Sequence, residues 1–384
     1  MIHSYMSICA AVFAMLAVCG SGYLALSLWS AFRFLKRARS ASGEFAPPVT
    51  LLKPLHGADR EMHEALRSHC LQDYPDYEII FGVSDPNDAA VAEVERLRRE
   101  FPERNLRLVV CPRVLGTNGK VSNLIQMMAH AQHAFILIND SDIRVEPDYL
   151  RRVMAPFAGE HVGMVTTLYR AHAGHTLASR LEAVIIATDF AGGVLSAIEL
   201  EGGLHFALGS TLAIRRKVLE EIGGLEPLVD YLADDYELGN RTSRAGYAVV
   251  LADTVVDTHL PDYTFAAMFQ HQLRWARTVR DKRHWGYLGV LVTYALPWAV
   301  LAALFAKGSA WSLALLGCVA ALRMLSAWVL CDPVLHDLRT LRDLWLVPLR
   351  DFAGVLVWAA TYAGNTVTWR GDVFHLKDGK LTRV

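Results

Sequence analysis

The sequence has no Cys-x-x-Cys spacing, no excess of charge of either sign, and several long stretches in which charge is almost missing. The first absence leaves its six cysteines without the pattern of a zinc knuckle or a dithiol redox site. Cys9, Cys19, Cys318 and Cys331 fall in or beside apolar segments, and Cys70 and Cys111 have no partner at motif spacing, so buried free thiols in a reducing compartment are expected. The second absence is a formal net charge of −1, from 38 Lys+Arg against 39 Asp+Glu. It excludes the bulk basic character of a nucleic-acid binder, and no nucleic-acid partner is expected. Charged residues make up only 20% of the chain against 53% hydrophobic, which is more apolar than a typical soluble protein.

The apolar excess is localised. Residues 5–32 contain no charge and then meet Arg33, Lys36, Arg37 and Arg39. That length crosses a hydrocarbon core of ~30 Å. A signal peptide would carry its basic residues before the apolar run and a small-residue cleavage site after it, so a signal anchor with its basic side in the cytoplasm is the expectation. Residues 286–306 and 309–331 read as two further spans joined by Lys307-Gly308. Arg323 inside the second either marks a packed helix face or argues against that span. Residues 344–369 carry Arg350-Asp351 and are followed by Arg370, Lys377, Lys380 and Arg383, which reads as an interfacial or re-entrant element with a cytoplasmic tail. The organisation expected is an anchor and linker over 1–44, with Ala41-Ser42-Gly43 in the linker, a cytoplasmic domain over 45–282, and a membrane region over 283–384.

The middle begins as alternating strand and helix. Strand-like Val49-Thr50-Leu51-Leu52 precedes a helical run from Arg60 with Met62, Leu66 and Cys70 on one face, and Tyr77 to Val83 is strand again. A helix with Val91, Val94 and Leu97, a strand at 106–110, a helix at 121–131 and the strand 134–138 follow. This order predicts an α/β fold with a mainly parallel sheet, helices on both faces and strand exits gathered at one edge. Acids stand at two exits, Asp85 after Ser84 and the run Asn139-Asp140-Ser141-Asp142. Two carboxylates one residue apart at a strand end suit Mg²⁺ or Mn²⁺ on a diphosphate, because these cations take hard oxygen ligands and share them with phosphates and water. Farther on, residues 208–214 read as a strand that something approaches closely, and Asp234-Asp235-Tyr236-Glu237-Leu238 opens a helix ending near Gly246. Capping and helix-dipole compensation would by themselves explain Asp234 and Glu237. The helical run from Thr264 toward Arg280 carries His271, Gln272, Arg274, Trp275 and Arg277, and a solvated or membrane-surface basic face would account for it equally.

Asp85, Asp140-Ser141-Asp142, Asp234-Asp235 and His271-Gln272-Leu273-Arg274-Trp275 occur in the order and approximate spacing of the inverting GT-A glycosyltransferases of the cellulose-synthase-like and ceramide-glucosyltransferase type. Leu52-Lys53-Pro54-Leu55-His56-Gly57, Gln72-Asp73-Tyr74-Pro75, the stretch Gly116-Thr117-Asn118-Gly119-Lys120-Val121-Ser122-Asn123 and Trp369-Arg370-Gly371 also resemble ceramide glucosyltransferases. Within that group, Gly209-Ser210-Thr211, Ala233 to Gly239 and His271 to Thr278 look most like the bacterial hopanoid-biosynthesis branch, which puts N-acetylglucosamine on bacteriohopanetetrol. One position departs from the pattern: His271 stands where the family has Gln or Arg.

The resemblance implies a GT-A, Rossmann-like fold in the bacterial inner membrane and a UDP-sugar donor. Its acceptor would be a hopanoid polyol or a ceramide. Asp85, Lys120, Asn123 and Asp140 would line the nucleotide-sugar site, and Asp140 and Asp142 would hold the divalent cation. Asp235 would be the general base, with helix capping as its competing role. Asp234, His271, Gln272, Arg274, Trp275 and Arg277 would meet diphosphate or acceptor, although Trp275 reads as well as a core or membrane anchor. A polymer synthase would need more membrane material for export than these few spans supply. An inactive scaffold would be expected to lose the carboxylates, and a transporter would need polar spans.

Overall fold

A computed structural model describes residues 2–38, 45–58, 61–369 and 372–383. The expected linker 41–43 and residues Arg39, Arg60, Arg370 and Gly371 lie outside the described residues. Helix α1 (Ile2–Ala38) has no acid in its first turn and ends on Lys36 and Arg37, in the sense that suits the helix dipole. The chain then alternates through β1 (Val49–Pro54), α2 (Met62–Cys70), β2 (Tyr77–Val83), α3 (Ala90–Glu100), β3 (Asn105–Val110), α4 (Gly119–Met128), β4 (Phe135–Ile138) and α5 (Tyr149–Met154). It continues through β5 (Val162–His172), α6 (Leu177–Ile185), α7 (Ala191–Glu201), β6 (Leu212–Arg215), α8 (Arg216–Glu221), α9 (Asp234–Arg244), β7 (Ala248–His259) and α10 (Phe265–Lys282).

These strands form one seven-stranded sheet in the order β3-β2-β1-β4-β6-β5-β7. The pairs β1–β2, β1–β4, β2–β3 and β5–β7 are parallel, and β6 runs antiparallel to both β4 and β5. The central strands are buried along nearly their whole length, as parallel strands covered on both faces must be. One face packs Met62 and Leu66 of α2, Val94 and Leu97 of α3 and Val153 of α5. The other packs Val121 and Leu124 of α4, Leu181 of α6, Val194 of α7 and Leu238 of α9. Pairing of Leu52 with both Ile80 and Ile138 brings the exits of β2, β1 and β4 to one edge, so both acidic strand ends meet there.

Three expectations are corrected. The strand expected over 208–214 is only Leu212–Arg215, because Leu208 and Thr211 close a turn on each other ahead of it. The span expected over 286–306 is two helices, α11 (His284–Thr293) and α12 (Ala295–Phe305), bent by 54°. Pro297 explains the break, since its ring clashes with the carbonyl four residues earlier, at Thr293, where α11 ends. Of the six free cysteines, Cys70, Cys111 and Cys331 are buried, but Cys19 and Cys318 are exposed on apolar helices.

Helices α13 (Ala310–Val329), α14 (Leu338–Leu341) and α15 (Val347–Thr361) follow, and strands β8 (Thr366–Trp369), β9 (Asp372–Lys377) and β10 (Lys380–Arg383) form a separate antiparallel sheet. Among the described residues, four helical segments are long and apolar enough to cross a membrane: Tyr5–Arg37, Leu177–Glu201, Ala310–Val334 and Leu344–Thr361. The bent α11–α12 pair is a further candidate. Leu177–Glu201 had no counterpart in the sequence reading, and 72% of its most apolar window is buried within the protein, against 22% for α1. Arg323 resolves its own alternatives by packing: it is 4% exposed and donates to both oxygens of Asp351, at 2.9 and 3.0 Å, and to Asp189 at 3.1 Å.

Candidate active site

The edge where β1 and β4 end opens into a cleft of about 600 Å³, bounded by Asp140, the turn at Leu208-Gly209-Ser210, the start of α9 and one face of α10. The exit of β4 is pinned from below. Asn139, fully buried, donates to Tyr149 Oη at 2.9 Å and to the Ser210 carbonyl at 2.7 Å. Lys53, also fully buried, donates to the carbonyl of Asp140 at 2.8 Å. Burial pushes the Lys53 ammonium down to about 7, against the pull of Asp142 and Asp140. Sequence pattern marks neither Lys53 nor Asn139 as a site residue; their only signal is a polar residue in or directly after an apolar strand.

Asn118 brings the Gly-rich loop to the same edge by capping α4, where it accepts from Val121 N at 3.2 Å. It also donates to the carbonyl of Tyr231 at 2.8 Å and to Asp234 at 3.4 Å, tying the loop to the start of α9. Lys120, next on α4, reaches Asp140 Oδ1 at 2.7 Å and Asp234 Oδ2 at 3.4 Å. Burial would lower this ammonium, but Asp140 and Asp234 hold it well above the ordinary lysine range.

The N-cap of α9 is Ala233, which offers no side-chain bond, so neither Asp234 nor Asp235 is the cap residue. Asp235 instead accepts from the neighbouring Tyr236 N at 2.7 Å. Gly239 lets α9 pack against the backbone of Phe206 and Ala207, which no larger residue would allow. That contact carries the following turn under Asp235. A side-chain carbon built on Gly209 would lie 3.1 Å from Asp235 Oδ2 and 3.6 Å from Asp140 Oδ2, so the close approach expected at this segment is made by two carboxylates. Burial first and Asp234 second raise the Asp235 carboxyl to about 6.

Asp142 accepts from Thr258 Oγ1 at 2.6 Å. Burial, then the neighbouring Asp140, raises its pKa. A cation would relieve that repulsion. Among the described residues no three His, Cys, Asp or Glu side chains gather into a metal-holding group, and Asp140 and Asp142 are the carboxylates here that could hold a cation. That set fits Mg²⁺ or Mn²⁺ completed by phosphate and water.

Helix α10 supplies the opposite wall through His271, Arg274 and Trp275. Trp275 packs on His271, with ring centroids 4.8 Å apart, and on Phe190 at 5.8 Å. Arg274 lines the cleft with no carboxylate in ion-pair range among the described residues, and burial lowers its pKa. Behind this wall lies Glu182, fully buried on α6, which accepts from His271 Nδ1 at 2.7 Å and Gln272 Nε2 at 2.9 Å through one oxygen. Gln272 therefore points away from the cleft, and Glu182 escaped the sequence reading, its signal being a lone acid in an apolar run. Arg277 is a correction: strand β8 runs along its side of α10, and its guanidinium donates to the Thr366 carbonyl there. Arg280 likewise donates to the carbonyls of Thr361 and Gly364 and to Asn365, so the basic face of α10 is used in docking the C-terminal segment.

Asp85 and Asn123 lie off the lining of this cleft. Asp85, exposed beyond β2, accepts from Asn87 N at 2.8 Å, and Asn123 accepts from Ser84 Oγ at 2.9 Å. With β1 between β2 and β4, Asp85 stands roughly 10 Å along the edge from Asp140, at ~4.8 Å per strand.

A ceramide glucosyltransferase of Caenorhabditis elegans is 24% identical over 258 residues, covering 66% of this chain and 54% of that protein. Another, from Komagataella phaffii, is 36% identical over 101 residues, 25% of this chain and 20% of that one. The chain spans about half the length of the first of these relatives. Among solved structures, a mannosyltransferase from Pyrobaculum calidifontis in complex with GDP-Man and Mn²⁺ superposes with a TM-score of 0.55 at 22% identity, over 90% of this chain and 98% of that one. The expected GT-A-type α/β fold is thereby borne out. The family model for glycosyl transferase family 21 matches residues 12–382, nearly the whole sequence, and the chain belongs to that family.

Proposed function

We propose that this protein moves a sugar from a UDP-sugar to a hydroxyl of a membrane lipid in one inverting displacement. The observation that carries this reading is the approach of Asp140 and Asp235 to one point above Gly209. On this reading the diphosphate lies at Asp140 and the attacking hydroxyl at Asp235. Asp235 takes the hydroxyl proton as the acceptor oxygen bonds to the anomeric carbon. The bond from that carbon to the diphosphate breaks on the opposite face, and its electron pair leaves with UDP. The raised pKa of Asp235 matches a base that works near neutral pH.

Lys120 and Arg274 offset negative charge on the diphosphate, one from each side of the cleft. Asp140 and Asp142 would hold a divalent cation, which would supply charge neutralisation at the departing diphosphate. Asp85 and Asn123, farther along the strand edge, are assigned to the uridine. Trp275 and Phe190 form an apolar wall for the acceptor.

For the finer identity, the match of Gly209-Ser210-Thr211 and the α9 and α10 motifs to the hopanoid branch supports N-acetylglucosamine as the sugar and bacteriohopanetetrol as the acceptor. A second reading, glucose onto ceramide, is supported by the ceramide glucosyltransferase relatives. The basic end of α1 supports a cytoplasmic position for residues 45–282, at the inner membrane of a bacterium. Membranes containing the protein, given each UDP-sugar with each lipid and read by mass spectrometry, decide between the pairs. A glycosylated lipid of inverted anomeric configuration is expected, and UDP release without any lipid product would overturn the reading.

A further inference from the structure

His271 and Gln272 both bond to a single carboxylate oxygen of Glu182, whose other oxygen is buried without a hydrogen-bond partner among the described residues. A half-satisfied buried carboxylate costs stability, and an apolar residue at position 182 would avoid that cost. The arrangement does one thing that an apolar residue could not. A carboxylate only accepts, so a hydrogen of the ring must sit on Nδ1, and Nε2 is the ring nitrogen left free. His271 lines the cleft while Glu182 behind it does not, so the anchored edge faces α6 and the other edge faces the cavity. Tyr263 and Trp275 hold the ring at centroid distances of 5.8 and 4.8 Å and fix its tilt.

The neighbours of His271 suit the acceptor better than the donor. Phe190 and Trp275 make the wall around His271 apolar, with Arg274, assigned to the diphosphate, one turn along α10, while Lys120 pairs with Asp140 and Asp234. A free ring nitrogen presented there hydrogen-bonds to a hydroxyl, and the hydroxyl under attack is already assigned to Asp235. We propose that Glu182 is a positioning residue that fixes His271 as the reader of a second hydroxyl on the acceptor, so that the protein selects lipids carrying a hydroxyl beside the one that is glycosylated. This rests on the lipid-transfer reading above and names the acceptor class that reading leaves open.

The test compares, for bacteriohopanetetrol and for ceramide, the intact lipid with its analogue lacking the neighbouring hydroxyl, in wild type, Glu182→Gln, His271→Phe and the double variant. The ratio of kcat/KM for intact lipid over analogue should fall about tenfold in each single variant, since a polar site discriminates strongly against a ligand lacking its hydrogen-bonding group. The double variant should fall no further than the singles, because the two residues act as one unit. An unchanged ratio, or a UDP Kd weakened by the same factor as transfer, would overturn the proposal and return the pair to packing or to the donor. Should Glu182→Gln fail to fold, the ratio in His271→Phe, which keeps the ring packing and removes the ring nitrogens, decides alone. Wild type that glycosylates neither lipid would overturn the lipid reading itself, and this proposal with it.

Discussion

Asp140 and Asp235, 95 positions apart in sequence, stand over the same glycine, within 3.6 and 3.1 Å of where a side-chain carbon on Gly209 would be. A methyl group there would press on Asp235 and rest in ordinary contact with Asp140. Gly209 has no positive φ, so alanine is compatible with the backbone. Gly209→Ala should therefore fold and insert while transfer falls about tenfold, less than the ~10²-fold that a misplacement of roughly 1 Å at a reacting group costs. Transfer close to wild type would mean that the two carboxylates do not act on one substrate.

Asp235→Asn separates base from structure. Asn retains an oxygen for Tyr236 N but cannot take a proton, so transfer should drop about 10²–10⁴-fold. Burial and Asp234 both disfavour the Asp235 charge, so the variant should melt no lower than wild type. A melting loss with transfer intact would return this residue to a structural role.

The pH profile follows from the same group. A base must be ionised, the ionised fraction rises with pH, and the Asp235 carboxyl is raised to about 6 from an ordinary value near ~3.9. Transfer should therefore fall on the acid side with a midpoint nearer 6 than 4. In Asp234→Asn, which removes the second cause of the shift, that midpoint should move down. An acid limb unmoved by Asp234→Asn would count against Asp235 as the titrating group.

Divalent cation should be required. Chelation with excess EDTA should abolish transfer, and Mg²⁺ or Mn²⁺ should restore it. Asp140→Ala should weaken UDP-sugar binding about tenfold or more, measured by calorimetry, because it removes a cation ligand and leaves Lys120 with the more distant Asp234. Full activity in EDTA would sink the assignment of Asp140 and Asp142.

Arg274 and Arg277, three residues apart on α10, should behave differently. Arg274→Ala should weaken UDP binding about tenfold. Arg277→Ala should leave it within about twofold, while limited proteolysis near residues 361–366 speeds up as β8 loosens. Equal losses in UDP affinity would put Arg277 back in the cleft.

The parallel half of the sheet, both acidic strand ends, the α9 and α10 helices and the long apolar helix at the N-terminus were legible in the sequence, because period and local composition carry them. Asp140 and Asp142 end an apolar run, and a strand end in an α/β sheet is where such acids meet a ligand. Tertiary structure decided what depends on chain segments far apart. Only packing sends Arg277 to Thr366, 89 positions away, while Arg274 stays in the cleft. Only the turn at residues 208–211, held under β5 by Thr166 and Ser210, brings Gly209 beneath two carboxylates from segments 95 positions apart. Glu182 shows the limit most plainly. In sequence it is an acid in an apolar helix, and its partners on α10 lie 89 and 90 residues away. Local pattern reports which face a residue prefers, and burial of a charge becomes intelligible only when the groups that surround it are in place.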